Sequence, residues 1–172
     1  LDKLEFIREN RLMIFRFHDH WHRTEPDGIY EGMIDELNWQ AFRTDHKMVY
    51  ELPKTTLGEL TAFLRDRFKS ATIRYVGQAD FACSQIGLSV GAHGVRNELG
   101  LLARDDVEVL IAGEVREWET VEYVRDAQIQ GKAKALIIMG HADSEEAGMK
   151  YCADWLRIFI TGIAIEHVPA GN

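Results

Sequence analysis

A chain of 172 residues with 46% hydrophobic content is long enough to bury one core, and a single domain spanning 1–172 is expected. Its formal charge is −8, and lysine and arginine never run together, which argues against a nucleic-acid backbone as a direct partner. No apolar run approaches the roughly 18 residues of a spanning helix, and the opening LDKLEFIREN has neither a signal core nor a cleavage pattern, so a soluble, cytoplasmic protein without membrane contact is expected.

The chain starts at Leu1 in what reads as a helix already under way over 2–10, with Leu4 and Ile7 on one face, so an upstream portion is expected to be missing. LMIFRF (12–17) has the bulky apolar run of a strand, and a histidine cluster follows at its carboxyl end. Pro26 and Asp27-Gly28 mark a loop before a helix around 32–42. MVYEL (48–52) reads as a strand ended by Pro53. Thr56 and Glu59 form a capping box, opening a helix with Leu57, Leu60, Phe63 and Leu64 on its apolar face. TIRYV and QIGLSV are further strands, the second running into a glycine turn at GAHG (91–94). That turn lacks the glycine spacing of a nucleotide loop and reads as a simple turn, with His93 as a possible substrate contact. VEVLIA (107–112), a helix over 115–130 with Trp118 in the core, ALIIM (135–139) and a helix over 144–157 make a βαβα order of parallel strands. GIAIEHV (162–168) supplies a last strand. The fold class is therefore α/β, a mixed sheet with βαβ units in the C-terminal half. Cys83 and Cys152 are far apart and lack metal spacing, so both read as buried small hydrophobes.

Three of the seven histidines fall within five positions, His18, His20 and His22, beside Asp19. In parallel α/β sheets ligands gather beyond the carboxyl ends of strands. His141 holds that position after ALIIMG, and Glu145 stands four residues on. Asp143 and Glu146 read as another capping box, which leaves Glu145 unneeded for capping. Imidazole and carboxylate from separate segments suit zinc, manganese, iron or cobalt, and a carboxylate can bridge two ions. Glu114 in AGEVREW has two readings, a group orienting a metal ligand or a carboxylate stabilised at a helix N-terminus.

The stretch VEVLIAGEVREWETVEYVRDAQIQGKAKALIIMGHADSEEAGMKYCADWL resembles the C-terminal part of the dinuclear-metal-centre hexameric proteins related to NGG-interacting factor three, some of them type 2 GTP-cyclohydrolase-like. Gly140, His141, Ser144, Glu145 and Gly148 match that family's G-H-x-x-S-E-x-x-G motif position by position. VYELPKTTLGELTAFLRDRF followed by IRYVG resembles its middle segment. The resemblance implies that His141 and Glu145 bind metal, with the glutamate bridging two ions, and that the assembly is a homohexamer. It further implies that MIFRFHDHWH corresponds to a strand ending in H-x-x-x-D, whose histidine is matched by His18. His22 stands where the aspartate would be, so the carboxylate ligand is sought first at Asp19, then with His22 and Asp27 as alternatives. The family's first ligand-bearing histidine motif would precede this strand, where the chain has no room for it. Either an upstream segment is missing or the site is reduced to one ion or none.

The function expected is metal-assisted hydrolysis of a small-molecule or nucleotide-like substrate, with two divalent ions activating water and His20 or His22 carrying the proton. The rival expectation is a non-enzymatic metal-binding, metal-delivery or interaction factor, because no nucleophile triad or nucleotide loop accompanies the ligands.

Overall fold

The computed structural model describes residues 2–70 and 72–170. Helices α1 (Lys3–Glu9), α2 (His18–Trp21) and α3 (Gly28–Leu37) come first, then β1 (Val49–Thr56), α4 (Leu57–Phe68), β2 (Arg74–Val76) and β3 (Ala82–Ser89). They are followed by α5 (Val95–Leu102), β4 (Val109–Ala112), α6 (Glu122–Ile129), β5 (Ala135–Ile138) and α7 (His141–Arg157). The sheet runs in the order β1-β3-β4-β5-β2, with β3, β4 and β5 parallel and the flanking β1 and β2 antiparallel to their neighbours. It is a mixed sheet whose parallel centre is the expected βαβ region.

Both faces of that centre are covered, because side chains alternate along a strand. Val109, Ile111, Ala135 and Ile137 face one core with Ile29, Met33, Leu57 and Leu64. Leu110, Leu136 and Ile138 face another with Leu101, Leu102, Val121 and Val124. Cys83 and Cys152 are buried and free, as their spacing predicted. The Thr56–Glu59 capping box forms as read, the Thr56 hydroxyl accepting from the Glu59 N–H and the Glu59 carboxylate accepting from the Thr56 N–H. Among the described residues no helix is long and apolar enough to cross a membrane.

Several sequence expectations are corrected. Residues 12–17 form no strand: the segment lies outside the sheet, with Met13 94% exposed and Phe15 77%, so its apolar run finds no partner strand among the described residues. The histidines accordingly sit on a short helix instead of a strand end. The third helix begins at Gly28, not near 32, because the Asp27 carboxylate accepts from the N–H groups of Ile29 and Tyr30 and starts the helix there. Pro53 does not end β1. The strand is at the sheet edge and its register slips between Glu51 and Thr55, where a missing N–H is tolerated. The helix expected over 115–130 opens with a π turn at Glu117–Val121, which turns Trp118 outward to 74% exposure. Residues 162–168 join no strand, since β2 already occupies the edge beside β5.

Candidate metal centre

Beyond β5 the backbone turns at Gly140, whose φ of +103° suits glycine. This lets α7 start at His141, three residues earlier than the sequence predicts. Gly140 is its N-cap, so Asp143 lies inside the first turn and the expected Asp143–Glu146 capping box does not form. His141 and Glu145 are then i and i+4 on one helix face, with His141 Nε2 3.2 Å from Glu145 Oε2. Across from them α2 and its C-cap place His18 and His22 four residues apart, their rings edge to face at 4.8 Å. His18 Nε2 lies 2.9 Å from Glu145 Oε2, and His22 Nε2 lies 3.4 Å from Glu145 Oε1. His18, His22 and Glu145 thus offer ligand atoms within 4.8 Å of one another.

The far side of each imidazole is also engaged. His18 Nδ1 is 3.2 Å from Asp19, His22 Nδ1 is 3.0 Å from Asp27, and His141 Nδ1 is 3.2 Å from Glu114. A carboxylate only accepts, so in a neutral ring whose Nδ1 donates to its carboxylate the Nε2 keeps a lone pair, whereas a protonated ring donates from both nitrogens. With neutral rings, three lone pairs face the Glu145 carboxylate, which is itself an acceptor. Acceptors gathered this closely need positive charge between them, supplied by protons on the rings or by a metal ion. The donor set fits a metal. Bonds of about 2.0 Å in a tetrahedron give edges of about 3.3 Å, close to the imidazole–Glu145 separations, although the ligand atoms of His18, His22 and Glu145 together span up to 4.8 Å. A carboxylate behind each histidine is the usual support of a metal-binding imidazole.

At His18 electrostatics favour a ring proton, the other source of that positive charge. Burial lowers its affinity for a proton, but the hydrogen bonds to Asp19 and Glu145 outweigh that, and the net shift is upward. Asp19 is held below the ordinary carboxylate value, chiefly by the His18 hydrogen bond. Its side chain is exposed and lies on the outer side of His18, whereas Glu145 is 8% exposed. His20 is not brought into the group; its ring stacks on Phe17.

The packing beneath Glu145 explains the rest of the motif. Ser144 Oγ donates to the His141 carbonyl and accepts from the Gly91 N–H at 2.8 Å, joining α7 to the loop after β3. A Cβ on Gly91 would stand 1.9 Å from Glu145 Oε1, and one on Gly148 would stand 2.5 Å from Ile29 in α3. Gly91 makes room for the glutamate, and Gly148 lets α3 and α7 touch. The turn at 91–94 is therefore part of the site's floor, which its sequence did not reveal. A glycine directly after the apolar strand run QIGLSV was the available signal, and its φ is positive in the fold.

The family model described as Duf34/NIF3 (NGG1p interacting factor 3) matches residues 3–170. No curated protein matches the chain. Among solved structures, reduced HcgD from Methanocaldococcus jannaschii is similar at 11% identity and a TM-score of 0.61, over 92% of this chain and 62% of that one. TTHA1606 from Thermus thermophilus is similar at 18% identity and a TM-score of 0.51, over 80% of this chain and 54% of that one. The hypothetical protein SA1388 from Staphylococcus aureus is similar at 20% identity and a TM-score of 0.51, over 64% of this chain and 35% of that one. The chain spans about a third of SA1388 and over half of TTHA1606 and HcgD, and at these identities the likeness is one of fold. With the family model matched along nearly all of its length, the chain belongs to the Duf34/NIF3 family.

Proposed function

We propose that the chain is a divalent-metal-dependent hydrolase of small molecules, holding two ions and assembling as a homohexamer. The observation that carries this reading is the convergence of three imidazoles on one buried carboxylate, each backed by a carboxylate of its own. Glu145 meets His18 and His141 through Oε2 and His22 through Oε1, the division of oxygens that suits a bridging ligand. Zinc, manganese, iron or cobalt would supply Lewis acidity toward a carbonyl, amidine or phosphoryl oxygen and water ionisable near neutral pH. His18, His22, His141 and Glu145 would hold the ions. Asp19, Asp27 and Glu114 fix the ring tautomers, and His20, outside the group, is the imidazole left to exchange protons.

A second reading, metal delivery, draws on the exposure of His141 and His18, whose side chains are 45% and 39% exposed; donors this open allow exchange. Elemental mass spectrometry on the tag-free chain, beside His141→Ala and Glu145→Gln, tests the metal reading. About two ions per chain, lost in both variants, is the expected result. No metal after reconstitution with zinc or manganese would overturn it. A metal-replete sample that turns over no ester, nucleotide or cyclic amide, yet releases its ions quickly to a chelator, would replace the hydrolase with the delivery protein.

A further inference from the structure

A cavity of about 710 Å³ opens beside the metal group, with His22 and Asp27 belonging to both. That volume is in the range of small-molecule sites, roughly 300–1,000 Å³. Its charge is unlike that of the chain, where 28 acidic residues outnumber 20 basic ones. Five arginines and lysines line it against three carboxylates. Two of the five are committed, Arg43 to Glu31 and Arg104 to Asp106. Among the described residues Arg23, Lys47 and Arg96 enter no ion pair; of the acids Asp27 meets His22, Glu31 meets Arg43, and Glu25 alone enters none, against three such cations. The three cations come from distant segments: the loop after α2, the turn before β1, and the first turn of α5.

We infer that this cavity is the substrate seat and that it takes a small phosphate ester or diphosphate, its anionic group on Arg23, Lys47 and Arg96 and its reacting group toward His22. The inference rests on the hydrolase reading of the metal group. Three separately placed cations suit a phosphoryl group, which presents oxygens in three directions, better than a single planar carboxylate, which one arginine fork satisfies. A cleft in which positive charge is in excess also concentrates an anionic ligand.

Titration calorimetry of the full chain, stripped of metal and kept at low ionic strength, uses inorganic pyrophosphate as the probe and citrate as a polycarboxylate of similar charge. The wild type is expected to bind pyrophosphate saturably, and the double variant Lys47→Ala/Arg96→Ala to bind it about tenfold or more weakly, as loss of two charge-assisted contacts implies. Both side chains are exposed, so an unchanged circular dichroism spectrum is expected. Arg65→Ala, on the remote α4, should match the wild type. No saturable binding, equal binding by the double variant, or equal affinity for citrate would overturn the assignment. Metal content of the same preparations, measured before stripping and after reconstitution, separates the two readings. A chain that holds metal but ignores pyrophosphate overturns the cavity alone, and one that binds pyrophosphate as expected yet takes up no metal upholds the cavity and overturns the metal reading.

Discussion

Asp27 serves two elements with one side chain: Oδ1 caps α3 and Oδ2 meets His22 Nδ1 at 3.0 Å. The two tasks separate in Asp27→Asn. Asparagine caps a helix as well as aspartate does, so the melting temperature should stay nearly constant. The amide placed against Nδ1, however, is no longer a pure acceptor, and the ring loses the partner that keeps its Nε2 lone pair toward Glu145. Metal affinity is expected to fall by about 10–100-fold, as when other supporting carboxylates are removed. Chelator competition and a thermal melt on the same protein check this, and an unchanged affinity or an equally large loss of stability would count against the assigned role. The sequence made His141 and Glu145 legible as candidates because a matched motif and strand-end logic both pointed to them, whereas His18 stood out only by the histidine cluster and the family resemblance, its expected strand not forming. It left Asp19, His22 and Asp27 as alternatives, since only the turn of α2 determines which groups face α7 and which face away.

At the scale of elements, what the sequence conveyed well was the parallel centre, where buried strands read as continuous apolar runs. What it conveyed poorly were ends and edges. Gly140 moved the start of α7, Pro53 sat harmlessly on an edge, and an apolar run at 12–17 stayed outside the sheet. One feature of the packing of α5 against the π turn had no sequence signal: Glu98, 2% exposed, accepts from the Thr120 hydroxyl at 2.5 Å. Burial raises its pKa, the Thr120 bond opposes this, and Glu119 and Glu114 add to it while Arg116 subtracts. The folded state therefore binds this proton more tightly than the unfolded chain does. That stabilisation is present below the unfolded value of about 4.3 and is lost as pH rises through the higher folded value. Glu98→Gln keeps an acceptor for Thr120 and removes the charge. Its melting temperature should exceed that of the wild type at pH 8, with the gap closing toward pH 4.5. A gap independent of pH would show that Glu98 is not the group responsible.

The whole molecule exposes apolar surface at both ends of the described chain. Met13, Ile14 and Phe15 project from the segment after α1, and Ile158 and Ile163 from the segment after α7. Bulky side chains exposed in a run are candidates for a contact surface. The proposed homohexamer gives that surface an occupant, a second copy of the chain. Its net charge of −8 would keep the assembled particles apart in solution. Replacing Ile14 and Phe15 together by serine removes apolar contact area without touching either core, so the fold should persist while association weakens. Light scattering after size exclusion should give the wild type a mass six times that of one chain, and the double variant a smaller multiple. Metal content, measured in parallel, should be retained in the variant, because His18 is held through Asp19 and Glu145 and not through Phe15. A wild type that runs as a monomer at micromolar concentration would overturn the assembly. Loss of metal along with assembly would instead place the 12–17 segment in the construction of the site, through its continuation into α2.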